Sequence, residues 1–344
     1  MTAQVPMPSS CPAYRARLIG WGGYLPEPTF TNAQLAEAYQ IETDDDWIVQ
    51  RTGIRQRHIA PAGQVTSDLA TAAAQQALAV AGLQANDIQL IIVATTTPDQ
   101  TFPATAVHVQ RKLGNGQAIA FDVQAVCSGF VYALSVADQF IRSGQVRNAL
   151  VIGAETLSRL LDWQNRTTAI LFGDGAGAVV LQAEPLMEST DSGSSNLSQP
   201  GIISTHLYAN GQYADLLYTD GGASSTQTVG TLQMNGREVF RLAVEKLQEM
   251  LQTVLATHNL KGTDIDWLVP HQANIRIIQA MQQKLALPDS QIIVTIDQHA
   301  NTSAASIPLA LNVGLRDGRI KNGDLVLLEA MGGGFTWGAV LIRV

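Results

Sequence analysis

The chain has 344 residues, 46% of them hydrophobic and 15% charged, a composition that excludes a disordered or low-complexity protein. With 21 Lys and Arg against 29 Asp and Glu, its net charge of -8 disfavours nucleic-acid binding. The two cysteines, Cys11 and Cys127, exclude a disulfide framework and fit a reducing cytoplasm. No apolar run is long enough for a signal peptide or a membrane span, so we expect no membrane association.

The first half of the chain alternates strand and helix patterns. Residues 1–13 contain three prolines and two serines and predict a flexible extension. After them, the patterns predict strands at 16–20, 90–93 and 118–123, a helix over 103–113, a helix from 131 to 137, and strands at 150–153 and 177–181. A segment rich in Ser, Gly and Asn predicts a surface loop at 188–200.

The second half repeats this order. A strand at 201–205 and a loop at 219–231 precede a strand at 267–269, a helix over 274–285, and strands at 292–297, 325–328 and 338–342. Alternating buried strands and amphipathic helices indicate an α/β fold with mostly parallel sheets. Since both halves end in similar Gly-rich strands, we predict a duplicated molecule with pseudo-twofold symmetry, whose halves span 14–185 and 201–344.

Cys127 follows the strand that ends at Val123 and precedes a helix. A thiol at this turn faces the helix N-terminus, which can lower a cysteine pKa from ~8.5 towards ~3.5–7.5. The alternative is an inert buried cysteine, which is common for this residue type and which Cys127 alone would favour.

Two polar residues at equivalent places in the second half change that balance. His271 follows the strand at 267–269, at the strand end where sites of α/β sheets gather. Asn301 lies in the counterpart of the Cys127 turn, where its first interpretation is a helix cap. A nucleophile and two polar groups placed by symmetry-related elements form a specific combination, which predicts an active site between the halves.

The residues around these positions resemble the β-ketoacyl-acyl carrier protein synthase III family. The resemblance covers almost everything after the extension and is carried by DDWIVQRTGIR at 45–55, FGDGAG at 172–177, VPHQAN at 269–274, NTSAAS at 301–306 and GGGFTWG at 332–338. The Cys-His-Asn set separates this family from elongating relatives, which use Cys-His-His. Thiolases need a second catalytic cysteine near the C-terminus, where this chain has residues 331–334 without one.

The resemblance implies the thiolase fold, a five-layered αβαβα arrangement, in a cytoplasmic homodimer. It implies a condensation in two half-reactions, in which Cys127 takes an acyl group from a short acyl-CoA, acetyl-CoA first of all, and malonyl-acyl carrier protein then loses CO2 and attacks it. His271 and Asn301 would stabilise the enolate, and the backbone N–H groups of Cys127 and Gly333 would form the oxyanion hole. Glycine at 333 would let the backbone approach the acyl group closely.

Substrate contacts also follow from the resemblance. The expected coenzyme A contacts are Trp47, Arg51, Arg166, Asn274 and Phe240, although Trp47 alone would suggest core packing. Arg241, Arg276 and Lys284 would receive the acidic carrier protein, and Phe102 would close the acyl pocket across the dimer, with an ordinary turn as the alternative there. The chain departs from the family at Gln283, often lysine, and at Arg237, where asparagine is common.

Other patterns have simpler interpretations. Residues 173–177 lead into a strand instead of opening a helix, which excludes a phosphate-binding loop. Six histidines without ligand spacing predict no metal, and we expect no permanently bound cofactor, only the CoA thioester as substrate. The main rival function is a related acyl-loading or condensing enzyme of secondary metabolism, and a rival of another class is a non-catalytic module that binds the carrier protein.

Overall fold

Two mixed β-sheets and the helices on their faces build the structure. The computed structural model describes residues 14–186 and 197–344, so the predicted extension at 1–13 and most of the predicted loop at 188–200 lie outside the described residues. The elements of the first half are β1 (Tyr14–Tyr24), β2 (Thr29–Thr31), α1 (Asn32–Tyr39), α2 (Asp45–Thr52), β3 (Gln56–His58), α3 (Thr66–Ala81), β4 (Leu90–Ala94), α4 (Thr105–Leu113), β5 (Ile119–Val123), α5 (Gly129–Arg142), β6 (Asn148–Glu155), α6 (Arg166–Ala169) and β7 (Gly175–Pro185). Those of the second half are β8 (Gly201–Ala209), β9 (Leu217–Thr219), β10 (Leu232–Met234), α7 (Gly236–Thr257), β11 (Trp267–Pro270), α8 (Ile275–Leu285), α9 (Ile296–His299), α10 (Ser306–Arg316), β12 (Leu325–Gly332) and β13 (Thr336–Arg343).

The first sheet has five strands in the order β1-β7-β6-β4-β5. Strands β6, β4 and β5 are parallel, whereas β7 and β1 join antiparallel at the other edge. All five residues of β4, a run of Leu, Ile, Ile, Val and Ala, are buried. Such a continuous apolar run is typical of a central strand covered on both faces.

The second sheet has four strands in the order β11-β12-β13-β8, with β11 and β12 parallel. The predicted strand at 292–297 is wrong. Only Ile292 forms a bridge, to Leu268, and residues from Ile296 form the short helix α9. The Gln272 side chain satisfies backbone groups that a neighbouring strand would otherwise pair with, since it donates to the Ile293 carbonyl and accepts from the Thr295 N–H.

Five layers result from the packing of helices on these sheets. Helices α3 and α4 cover the outer face of the first sheet, and α5 and α10 lie between the two sheets in the largest apolar cluster. Helices α7 and α8 cover the outer face of the second sheet. The layers are therefore αβαβα, which confirms the predicted fold class.

The two halves correspond with a constant offset. Strands β4 and β11, the 3₁₀ turns that begin at Val126 and Ser303, and strands β6 and β12 are each 177 residues apart (267 − 90 = 303 − 126 = 325 − 148 = 177). The positional equivalent of Cys127 is thus Ala304, and Asn301 lies three residues before it. The two turns pack against each other.

Candidate active site

Cys127 lies in a tight turn immediately before α5. The turn spans Val126–Ser128, and Val126 has φ +48°, in the left-handed region that non-glycine residues rarely adopt. Gly332, at the end of β12, packs directly against this turn: a Cβ there would lie 2.6 Å from the Cys127 amide nitrogen. The close approach of two backbones fixes the backbone of Cys127, a residue that is 5% exposed.

The electrostatics of Cys127 differ from the expectation of a lowered pKa. Burial raises the pKa of the thiol to about 12, and the nearby Glu155 carboxylate acts in the same direction. A hydrogen bond with the Ser303 side chain opposes this rise. Desolvation of the charged form therefore outweighs the position before a helix. The resting residue is a neutral thiol, and its proton must leave when the sulfur reacts.

His271 follows β11 and is held by two hydrogen bonds. Its backbone N–H donates to the Glu329 carbonyl (2.8 Å), and its Nδ1 lies 2.6 Å from Ser306 Oγ. Nδ1 is the acceptor found for the Ser306 hydroxyl proton among the described residues, so we assign Ser306 Oγ, which also accepts from the Gln272 N–H (3.3 Å), as the donor to Nδ1. Nε2 then carries the imidazole proton, and burial keeps the ring neutral by lowering its pKa to about 3.

Asn301 is held by hydrogen bonds of its backbone and of its side-chain oxygen. Its N–H donates to the Leu171 carbonyl, and its own carbonyl accepts from Gly173, both at 3.0 Å. Its side-chain oxygen accepts from the Ser303 N–H at 2.9 Å. The amide NH2 group thus remains a donor, as Nε2–H does on His271. Asn301 is not itself a helix cap, because the N-cap residues of the following turn and of α10 are Thr302 and Ala305.

One pocket of about 820 Å³, measured with its open mouth, brings the three predicted residues together. Cys127, His271 and Asn301 all line it, and most of the other lining side chains are apolar: Leu171, Phe172, Leu217, Met234, Val239, Phe240, Ala243, Leu247, Ala273, Ile277, Met331 and Phe335. Gly332 lines the pocket as well. A Cβ on the neighbouring Gly333 would meet the Leu217 carbonyl at 2.6 Å, so Gly332 is the glycine that packs against the Cys127 backbone. The oxyanion role of the Gly333 N–H stays a prediction.

Of the residues predicted to bind coenzyme A, Asn274 and Phe240 line the pocket, and Trp47, Arg51 and Arg166 form a separate cluster that Asn274 contacts. The guanidinium carbons of Arg51 and Arg166 lie 4.3 and 5.0 Å from the ring centroid of Trp47. An aromatic base stacked between Arg166 and Trp47 needs about 7 Å, twice a contact of ~3.5 Å, so Arg166 would have to move about 2 Å. Asn274 caps α8 and donates to the Arg51 carbonyl (2.9 Å), and the exposed Phe240 lines the pocket.

The three predicted docking cations differ in their partners. Arg241 pairs with Glu238 at 3.0 Å and with Glu245 at 3.2 Å, which offsets its positive charge. Arg276 donates to the Gln50 carbonyl, and Lys284 lies exposed in the last turn of α8. Of these three residues, Arg276 and Lys284 have no carboxylate partner in the described part of the chain, whereas Arg241 has two.

Phe102 is 81% exposed and does not line the pocket of its own chain, so its role across a dimer stays a prediction.

Residues 173–177 lead into β7, as expected, and the buried Asp174 carboxylate accepts from Ala60 and Ser158. Within 14–186 and 197–344, no group of three or more His, Cys, Asp or Glu residues is placed to hold a metal ion. No helix in these ranges is both long and apolar enough to cross a bilayer.

Sequence reasoning missed four polar residues at this site. Ser303 and Ser306 hold Asn301 and His271, and both lie within the quoted NTSAAS motif. The carboxyl group of Glu329 lines the pocket, where burial raises its pKa to about 8, and Glu155 lies behind Ser303. A charged residue inside an otherwise apolar strand was the available signal for both glutamates.

Comparisons with known proteins agree with this geometry. Residues 121–211 match the model of the 3-oxoacyl-[acyl-carrier-protein] synthase III family, and residues 255–344 match the model of its C-terminal part. The chain is 61% identical over 330 residues to a β-ketoacyl-[acyl-carrier-protein] synthase III of Paramagnetospirillum magneticum (96% of this chain, 99% of the relative), and 58% identical over 329 residues to one of Rhodospirillum centenum (96% and 99%).

Solved structures extend the likeness to the fold. The crystal structure of 3-oxoacyl-[acyl-carrier-protein] synthase III from Aquifex aeolicus superposes with a TM-score of 0.86 at 44% identity, covering 96% of this chain and 100% of that one. The priming β-ketosynthase of the R1128 polyketide pathway superposes with a TM-score of 0.87 at 31% identity, covering 98% and 99%. The chain therefore has the thiolase fold and belongs to the 3-oxoacyl-[acyl-carrier-protein] synthase III family of acyl-transferring condensing enzymes.

Proposed function

We propose that this enzyme initiates fatty acid synthesis by condensing a short acyl-CoA, acetyl-CoA first of all, with malonyl-acyl carrier protein. One observation carries the proposal: a buried thiol and two oriented donors, His271 Nε2–H and the Asn301 NH2 group, line one largely apolar pocket. A nucleophile is needed to hold the acyl group, and preorganised donors are needed where negative charge develops.

In the first half-reaction, the Cys127 sulfur attacks the acyl-CoA carbonyl while its S–H bond breaks. The C–S bond to coenzyme A then breaks, and coenzyme A leaves as a thiol, having taken up one proton for the one that Cys127 lost. A thioester remains on Cys127. The backbone N–H groups of Cys127 and Gly333 are the proposed donors to the tetrahedral oxyanion. Loss of such a donor costs ~10²–10³ in rate.

In the second half-reaction, the malonyl group loses its carboxylate as CO2, and the electron pair of that bond forms an enolate. His271 Nε2–H and the Asn301 NH2 group donate to the enolate oxygen. The enolate carbon attacks the acyl-cysteine, and the β-ketoacyl product leaves on the carrier protein as the C–S bond to Cys127 breaks. The released sulfur takes up a proton from solvent, which restores the thiol. A neutral His271 suits this role, because the low pKa of its ring keeps Nε2 a donor without charge.

Both substrates would enter at the pocket mouth. Coenzyme A would stack on Trp47 beside Arg51 and Arg166, and no resident cofactor is part of the proposal. The acidic carrier protein would dock mainly on Arg276 and Lys284, since the charge of Arg241 is offset by two glutamates. Arg51 and Arg166 each lie within the distance at which a cation interacts with an aromatic ring.

We also propose that the enzyme is a homodimer. We propose that it works in the cytoplasm, where reducing conditions keep Cys127 a thiol. Strand β5 is the last strand of its sheet, and Ile119 at its start is 40% exposed. An edge strand of this kind is a ready partner for a second copy. Light scattering of the purified enzyme should give twice the monomer mass, and a monomer would remove both the dimer and the proposed position of Phe102.

The test of the function is a coupled assay with acetyl-, butyryl-, isobutyryl- and octanoyl-CoA as primers. Mass spectrometry of the carrier protein should show acetoacetyl-acyl carrier protein from acetyl-CoA, with one CO2 released per product. Absence of condensation with every primer would contradict the proposal.

A related role in secondary metabolism is the second candidate, favoured by the likeness to the R1128 priming β-ketosynthase. It predicts condensation with longer or branched primers and little with acetyl-CoA. Identities of 56–61% to β-ketoacyl-[acyl-carrier-protein] synthase III relatives, against 31% for the polyketide enzyme, favour the first candidate.

A further inference from the structure

A fully buried carboxyl group lies beside the turn that follows Asn301. Glu155 ends strand β6 with no exposed surface. Its oxygens accept from the Thr96 N–H (3.2 Å) and from the hydroxyl groups of Thr96 (2.9 Å), Thr97 (2.6 Å) and Ser303 (3.2 Å). The threonines directly follow β4, whereas Ser303 belongs to the turn after Asn301. The carboxyl group therefore joins the first sheet to the active-site turn of the second half.

The threonine hydroxyl groups hold this carboxyl group independently of Ser303. Thr97 Oγ1 accepts from the Thr156 N–H (2.9 Å), and Thr95 Oγ1 accepts from the Thr97 N–H (3.1 Å). Both hydroxyl groups then donate to Glu155, at 2.6 Å from Thr97 and 3.3 Å from Thr95. Since backbone groups orient these donors, the Glu155 carboxyl group is a fixed anchor.

Ser303 connects this anchor to Asn301. Its hydroxyl donates to a Glu155 oxygen, and its backbone N–H donates to the Asn301 side-chain oxygen at 2.9 Å. One residue makes both bonds, so the position of the N–H depends on the bond that the hydroxyl makes. The structure thus holds a path of direct hydrogen bonds from Glu155 through Ser303 to the side chain of Asn301.

The backbone of this segment has an uncommon conformation. Ser303 has φ +50°, and Ala300, three residues earlier, has φ +56°. Conformations of this kind persist only where the surrounding structure enforces them, and they cluster at functional sites. Strand β6 supplies two enforcing contacts. Glu155 bonds to the Ser303 hydroxyl, and Gly153 packs so closely that a Cβ there would overlap the Ala304 carbonyl group.

We propose that Glu155, acting through Ser303, is a positioning residue for condensation, because it orients the side-chain amide of Asn301. The proposal rests on the proposed function for its reaction. The last torsion of an asparagine side chain is broad and roughly two-fold, so the amide oxygen and nitrogen exchange places readily. The exchanged amide would turn its oxygen toward the enolate, whereas the observed one presents the NH2 donor. The Ser303 N–H selects the productive orientation, and Glu155 holds Ser303 in place.

The other proposed donor to the enolate does not depend on this path. His271 is held by Ser306 and by the bond from its N–H to the Glu329 carbonyl. The proposed attack of Cys127 on an acyl-CoA uses neither His271 nor the Asn301 amide. Loss of the path should therefore slow the second half-reaction and spare the first.

The test measures two rates in each enzyme: acetylation of Cys127 by acetyl-CoA, followed by peptide mass, and CO2 release from malonyl-acyl carrier protein. Ser303→Gly deletes the hydroxyl but tolerates the positive φ. This variant and Glu155→Ala should release CO2 about 10- to 100-fold more slowly, the cost of misplacing a group, with acetylation within about threefold of wild type. Ser135→Ala, which deletes a serine hydroxyl bonded to Thr205 (2.9 Å), is the matched control and should change neither rate. Wild-type CO2 release by Ser303→Gly, or equal loss of both rates, would overturn the proposal.

A double-substitution cycle separates positioning from general damage. If Ser303 acts through Asn301, Ser303→Gly should cost nothing further in an Asn301→Ala enzyme, whereas a cost that adds in full would overturn the proposal. The crystal structure of Ser303→Gly should show the Asn301 amide turned from its wild-type orientation, and an unchanged amide would overturn the path whatever the activity. A wild-type enzyme that never releases CO2 from malonyl-acyl carrier protein would contradict the proposed function alone, because the crystal structure still tests the path.

Discussion

Substituting Gly332 by alanine should displace the nucleophile without touching any polar side chain. The added Cβ would lie 2.6 Å from the Cys127 nitrogen, 2.9 Å from the Ala125 carbonyl oxygen and 3.1 Å from the Ser128 nitrogen. All three are backbone atoms, so no side chain can rotate away. Against an ordinary contact of ~3.5 Å, the turn must retreat by about 0.9 Å.

A displacement of this size sets the expected effect. A misplacement of ~1 Å at a reacting group costs about 10² in rate, and overpacking costs about 1–3 kcal/mol of stability. We therefore expect kcat/KM for condensation to fall about 100-fold, with a lowered Tm. Gly211→Ala is the matched control, because a Cβ there meets nothing within 4 Å. Activity of Gly332→Ala within twofold of wild type would refute the argument that this contact positions Cys127.

Three further predictions follow from the site. His271→Ala should still form the acyl-enzyme but lose condensation by ~10²–10³; equal loss of acylation in the mass assay would show that the roles are misassigned. Arg166→Ala should raise KM for acyl-CoA about 2- to 30-fold with kcat unchanged, the worth of ~0.5–2 kcal/mol for stacking the guanidinium on the coenzyme A base that would lie between it and Trp47, and an unchanged KM in steady-state kinetics would exclude this role for Arg166. Burial raises the pKa of Glu329 from its ordinary 4.5 to about 8, so its neutral form stabilises the fold below pH 4.5 and this contribution is lost as pH rises through 8. The difference in Tm between Glu329→Gln and wild type should therefore shift in favour of the variant from pH 5 to pH 9. A difference in Tm that stays constant over this range would contradict the burial of an unpaired carboxyl group.

The succession of strands and helices along the chain and the three central residues were accessible from sequence, because apolar periodicity marks the former and the duplication the latter. Patterns predicted α8 at 274–285 and the closing strands β7 and β13 closely, and the repeat indicated where Cys127, His271 and Asn301 would meet. The strand at 292–297 failed for a physical reason. Its apolar residues fit a strand, but the Gln272 side chain takes over the backbone hydrogen bonds that a neighbouring strand would have made.

Electrostatics and close contacts could not be predicted in this way. Position before a helix suggested a lowered pKa for Cys127, whereas burial and Glu155 raise it, and both depend on three-dimensional packing. The choice of Gly332 over Gly333 as the glycine against Cys127 depends on the register of β12, which composition does not specify. The pairing of Arg241 with Glu238 and Glu245 follows from their i,i+3 and i,i+4 spacing on one helix, which the sequence alone contains.

The central claim is that Cys127 carries the acyl group between the two substrates. Peptide mass mapping after incubation with acetyl-CoA should show a gain of one acetyl group on the peptide containing Cys127 and none on the peptide containing Cys11. Addition of malonyl-acyl carrier protein should remove that mass and yield acetoacetyl-acyl carrier protein. A Cys127→Ala enzyme that still becomes acetylated and still condenses, or a wild-type acetyl group that the malonyl partner does not discharge, would contradict the account.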